Sequence, residues 1–169
     1  SLVDLFFYQT EKQNPASTFL EWLNPKNKKK LTWGETSSNI YKLAKILKEN
    51  IVDGDRCLLV SENRPEWLIS DIAIMLANGI TVPVYTTYTE KDYKYLIEDC
   101  QPSVIIVSND EMHDKLKNNN VNNYIIFMSG SLSYDDMYAM IIIQKKLERQ
   151  KYLLISRTPP RKIPKLLKF

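Results

Sequence analysis

Tyr85, Thr86, Thr87 and Tyr88 follow the end of a predicted strand, and in α/β proteins the carboxyl ends of strands are where ligands gather. They are the first place to look for binding. Arg64 and Glu66 flank Pro65 at the head of a predicted helix. Such a pair could act on a ligand, but charged residues at a helix start more often cap it or sit in water. His113 is the only histidine. Its helix reads as exposed, and no Ser, Cys or carboxylate set accompanies it from which a hydrolase triad could be built, so a surface role is expected. Cys57 and Cys100, in a predicted strand and at a predicted helix end, match no metal or redox spacing and read as buried free thiols. No catalytic residue and no metal ligand is assigned.

The elements that must position these residues centre on a strand–helix–strand unit over residues 53–89. Asp53-Gly54-Asp55 is a turn, because Gly accepts positive φ and the Asp side chains can bond nearby amides. Residues 56–61 form a short apolar strand. Pro65 suits the first turn of a helix, and Arg64 before it is pushed out of the α region, so the helix begins there. Residues 67–77 are apolar on nearly every side, which predicts cover on more than one face. Asn78-Gly79 ends the helix, with Gly as the usual residue just past it, and residues 81–85 form the next strand.

Before this unit, residues 2–8 are apolar and pack as a short helix or an extended arm. Residues 17–23 and 31–33 bracket a turn rich in Pro, Asn and Lys and read as a hairpin. Thr32 and Glu35 have capping-box spacing, and Ile40, Leu43, Ala44 and Leu47 make one stripe of the helix that follows. After the unit, Thr89 and Asp92 repeat the cap spacing, and Tyr93, Leu96 and Ile97 give the next helix its buried face. Pro102 marks its end. Residues 104–107 are a continuous apolar run, as in a strand covered on both sides of a parallel sheet. Asn109 caps a helix through about residue 116. Residues 124–128 form another strand, and Ser133 with Asp136 caps a last helix holding Met137, Met140 and Ile141. Strands alternate with helices, so the fold class is α/β: a mostly parallel, doubly wound sheet flanked by helices, with a small N-terminal β-hairpin.

A chain of 169 residues with ordinary apolar and charged fractions suits one domain with a sizeable core. The net charge of +3 is unevenly spread. Residues 145–169 carry nine Lys or Arg against the single acid Glu148, a net of +8, which leaves 14 basic and 19 acidic residues, a net of −5, over residues 1–144. The tail lacks a nucleic-acid-binding motif and reads as a solvated or poorly ordered end. An anionic membrane surface or nucleotide phosphates are the other partners its charge allows. No stretch reaches the roughly 18 apolar residues of a membrane span, and the start lacks a signal-peptide pattern. The expected location is the cytoplasm, with any membrane contact peripheral, at the inner face.

The run Ser61-Glu62-Asn63-Arg64-Pro65-Glu66-Trp67, the apolar helix after it, and residues 79–89 (GITVPVYTTYT) together resemble the N-terminal part of long-chain acyl-CoA synthetases, the fatty acid–CoA ligases of the adenylate-forming superfamily. The resemblance covers about residues 31–116 and extends more loosely to 16 and 128. It implies an incomplete adenylate-forming domain, with residues 1–143 as its N-terminal subdomain and 144–169 as a basic tail holding a degenerate or displaced phosphate loop. It also implies a parent activity in two steps. A fatty carboxylate attacks the α-phosphate of ATP to give an acyl-adenylate and pyrophosphate, and the thiol of coenzyme A then displaces AMP. ATP, Mg²⁺ and coenzyme A are the cofactors so implied, and a long-chain fatty acid is the substrate. Trp67 could then line an acyl channel, although an aromatic on a buried helix is more often core. Tyr85, Thr86 and Thr87 are the stronger substrate-side candidates.

In the family a Ser/Thr/Gly-rich loop ending in Pro-Lys-Gly meets the charge on the phosphates, its glycines letting backbone amides approach closely. Here residues 152–165 read YLLISRTPPRKIPK. Ser156, Thr158 and Lys165 echo the order of that loop, but no Gly occurs after Gly130, and Arg157, Pro160 and Leu166 stand about where glycines would. Bulky side chains and proline block the backbone approach. A truncated, frame-shifted or decayed gene end is the expected origin of 144–169, and the chain alone is expected to be inactive. The contrasting expectation is a stand-alone α/β binding module that meets its partner through an exposed sheet edge or the basic tail.

Overall fold

The computed structural model describes residues 1–22, 29–119 and 124–126. Helix α1 (Leu2–Lys12) opens the chain, so the first apolar segment is a helix rather than an arm; Ser1 and Asp4 form a capping box at its head. Strands β1 (Thr18–Trp22) and β2 (Lys29–Thr32) form the expected antiparallel hairpin. Its second strand takes in two lysines assigned above to the turn, and Trp33 begins α2 (Trp33–Lys48) instead of ending the strand. The Thr32 hydroxyl accepts from Glu35 N at 3.1 Å while the Glu35 carboxylate accepts from Thr32 N at 2.8 Å. Both orphan amides are thereby satisfied at the start of the helix.

Strand β3 (Arg56–Val60), helix α3 (Pro65–Leu76) and strand β4 (Ile80–Val84) follow, then α4 (Glu90–Cys100), β5 (Val104–Val107), α5 (Asp110–Leu116) and β6 (Tyr124–Ile126). The four strands β3–β6 pair in parallel in the order β4–β3–β5–β6. The chain steps outward from β3 to β4, returns past β3 to β5, and continues to β6, which is the doubly wound arrangement. Side chains of β3 and β5 alternate between two cores. Cys57, Leu59, Val104 and Ile106 face the cluster built with α1, α2 and α3, while Leu58, Val60, Ile105 and Val107 face the cluster built with α4 and α5. Burial on both faces explains why these strands are continuous apolar runs. Each fully buried Leu or Ile contributes roughly 1.5–3 kcal/mol.

The end of α3 departs from the expectation. Asn78, at φ 64°, takes the left-handed position, not Gly79. Asn78 N donates to Met75 O at 3.0 Å and Gly79 N to Ile74 O at 2.9 Å, the paired bonds of a Schellman closure. Gly79 is needed for space: a Cβ there would lie 2.9 Å from Ile51 Cδ1 and 3.0 Å from Ile74 Cγ2. At the expected turn, Gly54 does sit at φ 87° and donates to Asn78 O at 2.8 Å. The last two residues of the strand expected over 124–128, the helix capped by Ser133 and Asp136, and the tail 144–169 lie outside the described residues. Among the described residues no helix is long and apolar enough to cross a membrane.

Candidate functional site

Strand order reverses between β3 and β5, and the carboxyl ends at such a reversal are the position that favours ligands in doubly wound sheets. Arg64 and Glu66 lie at this end of the sheet, just past β3. Arg64 is extended, at φ −154°, because Pro65 follows it, and its side chain makes no cap bond. Instead the guanidinium turns inward. Nε donates to Glu66 Oε2 at 2.9 Å, and Nη1 reaches Glu62 Oε1 at 3.4 Å and Ser108 O at 3.5 Å. The side chains of Arg64 and Glu66 are only 4% and 7% exposed. The expectation that they cap the helix or sit in water is therefore corrected: they form a buried ion pair that ties the β3–α3 turn to the end of β5. An all-apolar helix that must be buried from its first turn was the available signal, since charges placed there have to pair.

Around this pair, Ser70 Oγ donates to Glu66 O at 2.6 Å, and Ser108 N donates to Val60 O at 3.0 Å. Ser108 is fully buried, and its Oγ has no hydrogen-bond partner among the described residues. Sequence reasoning missed Ser108 because nothing in a single apolar run marks which strand end will meet the β3–α3 turn.

Tyr85, Thr86 and Thr87 lie at the carboxyl end of β4, on the same end of the sheet. Tyr85 is 72% exposed. Tyr93, buried on α4, donates its hydroxyl to Tyr85 O at 2.8 Å, which fixes the backbone there, and burial raises the pKa of that hydroxyl. The Tyr88 ring sits 5.7 Å from Tyr85 and 6.1 Å from Tyr93. The structure thus gathers these tyrosines into one partly exposed aromatic shelf. Trp67 belongs to the other layer, half-buried against the core formed with α1 and α2, as a core aromatic would be. Ser156, Thr158 and Lys165 lie outside the described residues.

His113 is half-buried rather than exposed, and burial is the main cause that lowers its pKa below 6.5. Cys57 is fully buried, and desolvation, with a smaller push from Asp55, raises its thiol to about 12. It is no nucleophile at neutral pH. Cys100 is free and half-buried rather than buried. An open groove of about 1020 Å³ along α4 includes neither the Arg64–Glu66 pair nor the tyrosine shelf. Within it Lys94 pairs with Glu98 at 3.8 Å.

Among the described residues no cluster of three His, Cys, Asp or Glu could hold a metal ion. Nor do their glycines make a phosphate cradle. Gly34 lies in the first turn of α2, and Gly54 and Gly79 sit at the amino end of the parallel sheet. The described part therefore offers scaffold and a surface at the strand ends.

A family model described as AMP-binding enzyme matches residues 7–159. The match is wider than the resemblance read from the sequence and takes in Ser156 and Thr158. The long-chain-fatty-acid–CoA ligase of Bacillus subtilis (strain 168) is 38% identical over 79 residues, covering 46% of this chain and 14% of that protein. Among solved structures, the fatty acyl-adenylate ligase from L. pneumophila in complex with acyl adenylate and pyrophosphate superposes with a TM-score of 0.62 at 19% identity, over 83% of this chain and 25% of that one. The anthranilate CoA ligase AuaEII in complex with anthranoyl-AMP gives a TM-score of 0.67 at 21% identity, over 82% of this chain and 27% of that one. The structural likenesses show the fold, and the chain spans about a seventh of the length of the Bacillus ligase. With most of its residues matched and its doubly wound sheet shared with adenylate-forming enzymes, this chain belongs to the AMP-binding enzyme family.

Proposed function

We propose that these residues are the N-terminal scaffold of an ATP-dependent long-chain fatty acid–CoA ligase. The observation that carries this reading is the family match over residues 7–159, joined to relatives that include a long-chain-fatty-acid–CoA ligase. In the complete enzyme a carboxylate oxygen bonds to the α-phosphorus of ATP as pyrophosphate leaves. The thiol sulfur of coenzyme A then bonds to the acyl carbon as AMP leaves. The described residues supply the floor on which these partners meet. The Arg64–Glu66 pair holds the switch-point strands together, and Tyr85, Thr86 and Thr87 present the substrate-side surface. Ser156, Thr158 and Lys165 stand for the phosphate loop, in a stretch whose sequence has none of the glycines that let backbone amides approach phosphates closely. The 169 residues alone therefore make no acyl-adenylate. The complete enzyme works in the cytoplasm, and the net charge of +8 over residues 145–169 supports peripheral contact with an anionic membrane face.

A chimera tests the reading. Residues 31–116 replace the matching stretch of the Bacillus ligase, and thioester formation is measured with a long-chain fatty acid, ATP, Mg²⁺ and coenzyme A. We expect retained long-chain acyl-CoA formation. A soluble, folded chimera that makes the adenylate of some other carboxylate but no long-chain acyl-CoA would overturn the substrate assignment.

A further inference from the structure

We propose that Pro83 closes the outer edge of the parallel sheet, so that a second copy of this chain cannot extend it by pairing with β4. Among the described residues β4 pairs with β3 alone and forms one border of the sheet. Ile80 N donates to Asp55 O at 2.8 Å, and the register runs from Arg56 opposite Ile80 to Val60 opposite Val84. Along a parallel strand, successive residues turn their amide and carbonyl to opposite sides. Ile80, Val82 and Val84 therefore point theirs at β3, and Thr81 and Pro83 point theirs at the open side.

Proline lacks an N–H, so at position 83 it takes nothing from the β3–β4 ladder while removing a donor from the middle of the exposed edge. The surrounding segment needs such a guard. Residues 80–85 (ITVPVY) are uncharged and rich in β-formers, and Ile80 and Tyr85 are 51% and 72% exposed. A strand of that kind left open is a template for association. One residue along, at Val82, proline would break a ladder bond instead.

The test uses the whole chain, comparing wild type with Pro83→Thr and Val82→Pro. Sedimentation velocity reads association across a concentration series, and hydrogen exchange reads the Thr81 and Val82 amides. In the wild type we expect the Thr81 amide to exchange as an open amide while Val82 is protected. Pro83→Thr should keep the fold and gain concentration-dependent association, with the Thr81 amide slowed roughly tenfold or more in the associated form. Val82→Pro should weaken the fold without such association. A wild-type Thr81 amide as protected as that of Val82 would overturn the proposal. So would a folded Pro83→Thr that associates no more than wild type. If Pro83→Thr does not fold, the wild-type exchange pattern alone decides.

Discussion

Glu66 and Arg64 hold two charges where water does not reach, and each is stable there because the other is 2.9 Å away. Removing Glu66 takes the nearer carboxylate from the buried Arg64 and leaves it Glu62 at 3.4 Å, a larger loss than the pair's own net contribution. We expect Glu66→Ala to lower unfolding stability by about 3 kcal/mol, read by urea denaturation, and the double change Arg64→Met with Glu66→Leu to recover part of that loss. A Glu66→Ala protein as stable as wild type would mean that the pair is not a strut between β3 and β5.

At the scale of elements, a helix start and a turn carry their own pH dependence. The Thr89 hydroxyl and amide both bond the Asp92 carboxylate, and those bonds hold its pKa below the ordinary 3.8. Lys48 first, and then Asn78, does the same for Asp53. Because the folded value lies below the unfolded one, the stabilisation is in full force above the unfolded pKa and is lost as pH falls through the folded one. We expect Thr89→Ala to make the acid limb of the stability–pH curve shallower between about pH 5 and 2. An unchanged limb would show that the box at α4 does not form in solution.

These same caps explain how much could be read in advance. A box is four residues of local chemistry, so Thr32–Glu35 and Thr89–Asp92 were visible in the sequence, as were the alternation of strands with helices and the stripe on α2. The Asn78 closure of α3 was not, because Asn and Gly both tolerate the left-handed region and only packing at Ile51 and Ile74 decides which residue needs the space. Strand order was hidden for a similar reason: whether β4 lies inside the sheet or at its border depends on contacts distant in sequence. Pro83 was the one local hint, since proline inside a strand marks an edge. The buried pair at Arg64 and Glu66 went unseen because helix-start charges usually face water, and this helix is covered from its first turn.

For the whole molecule, the described residues that pack and the stretch whose sequence echoes a phosphate loop are separate parts of the chain. Two cores enclose β3 and β5 from either face, and the carboxyl ends of the strands carry the buried Arg64–Glu66–Ser108 cluster and the partly exposed tyrosine shelf. The stretch that echoes a phosphate loop has no glycine. On the proposed reading the scaffold folds and offers a surface but does not by itself hold triphosphate tightly. Calorimetric titration of the purified 169-residue chain with ATP and Mg²⁺ tests that division most directly. We expect no saturable binding; one-to-one, magnesium-dependent binding at micromolar ATP would contradict it.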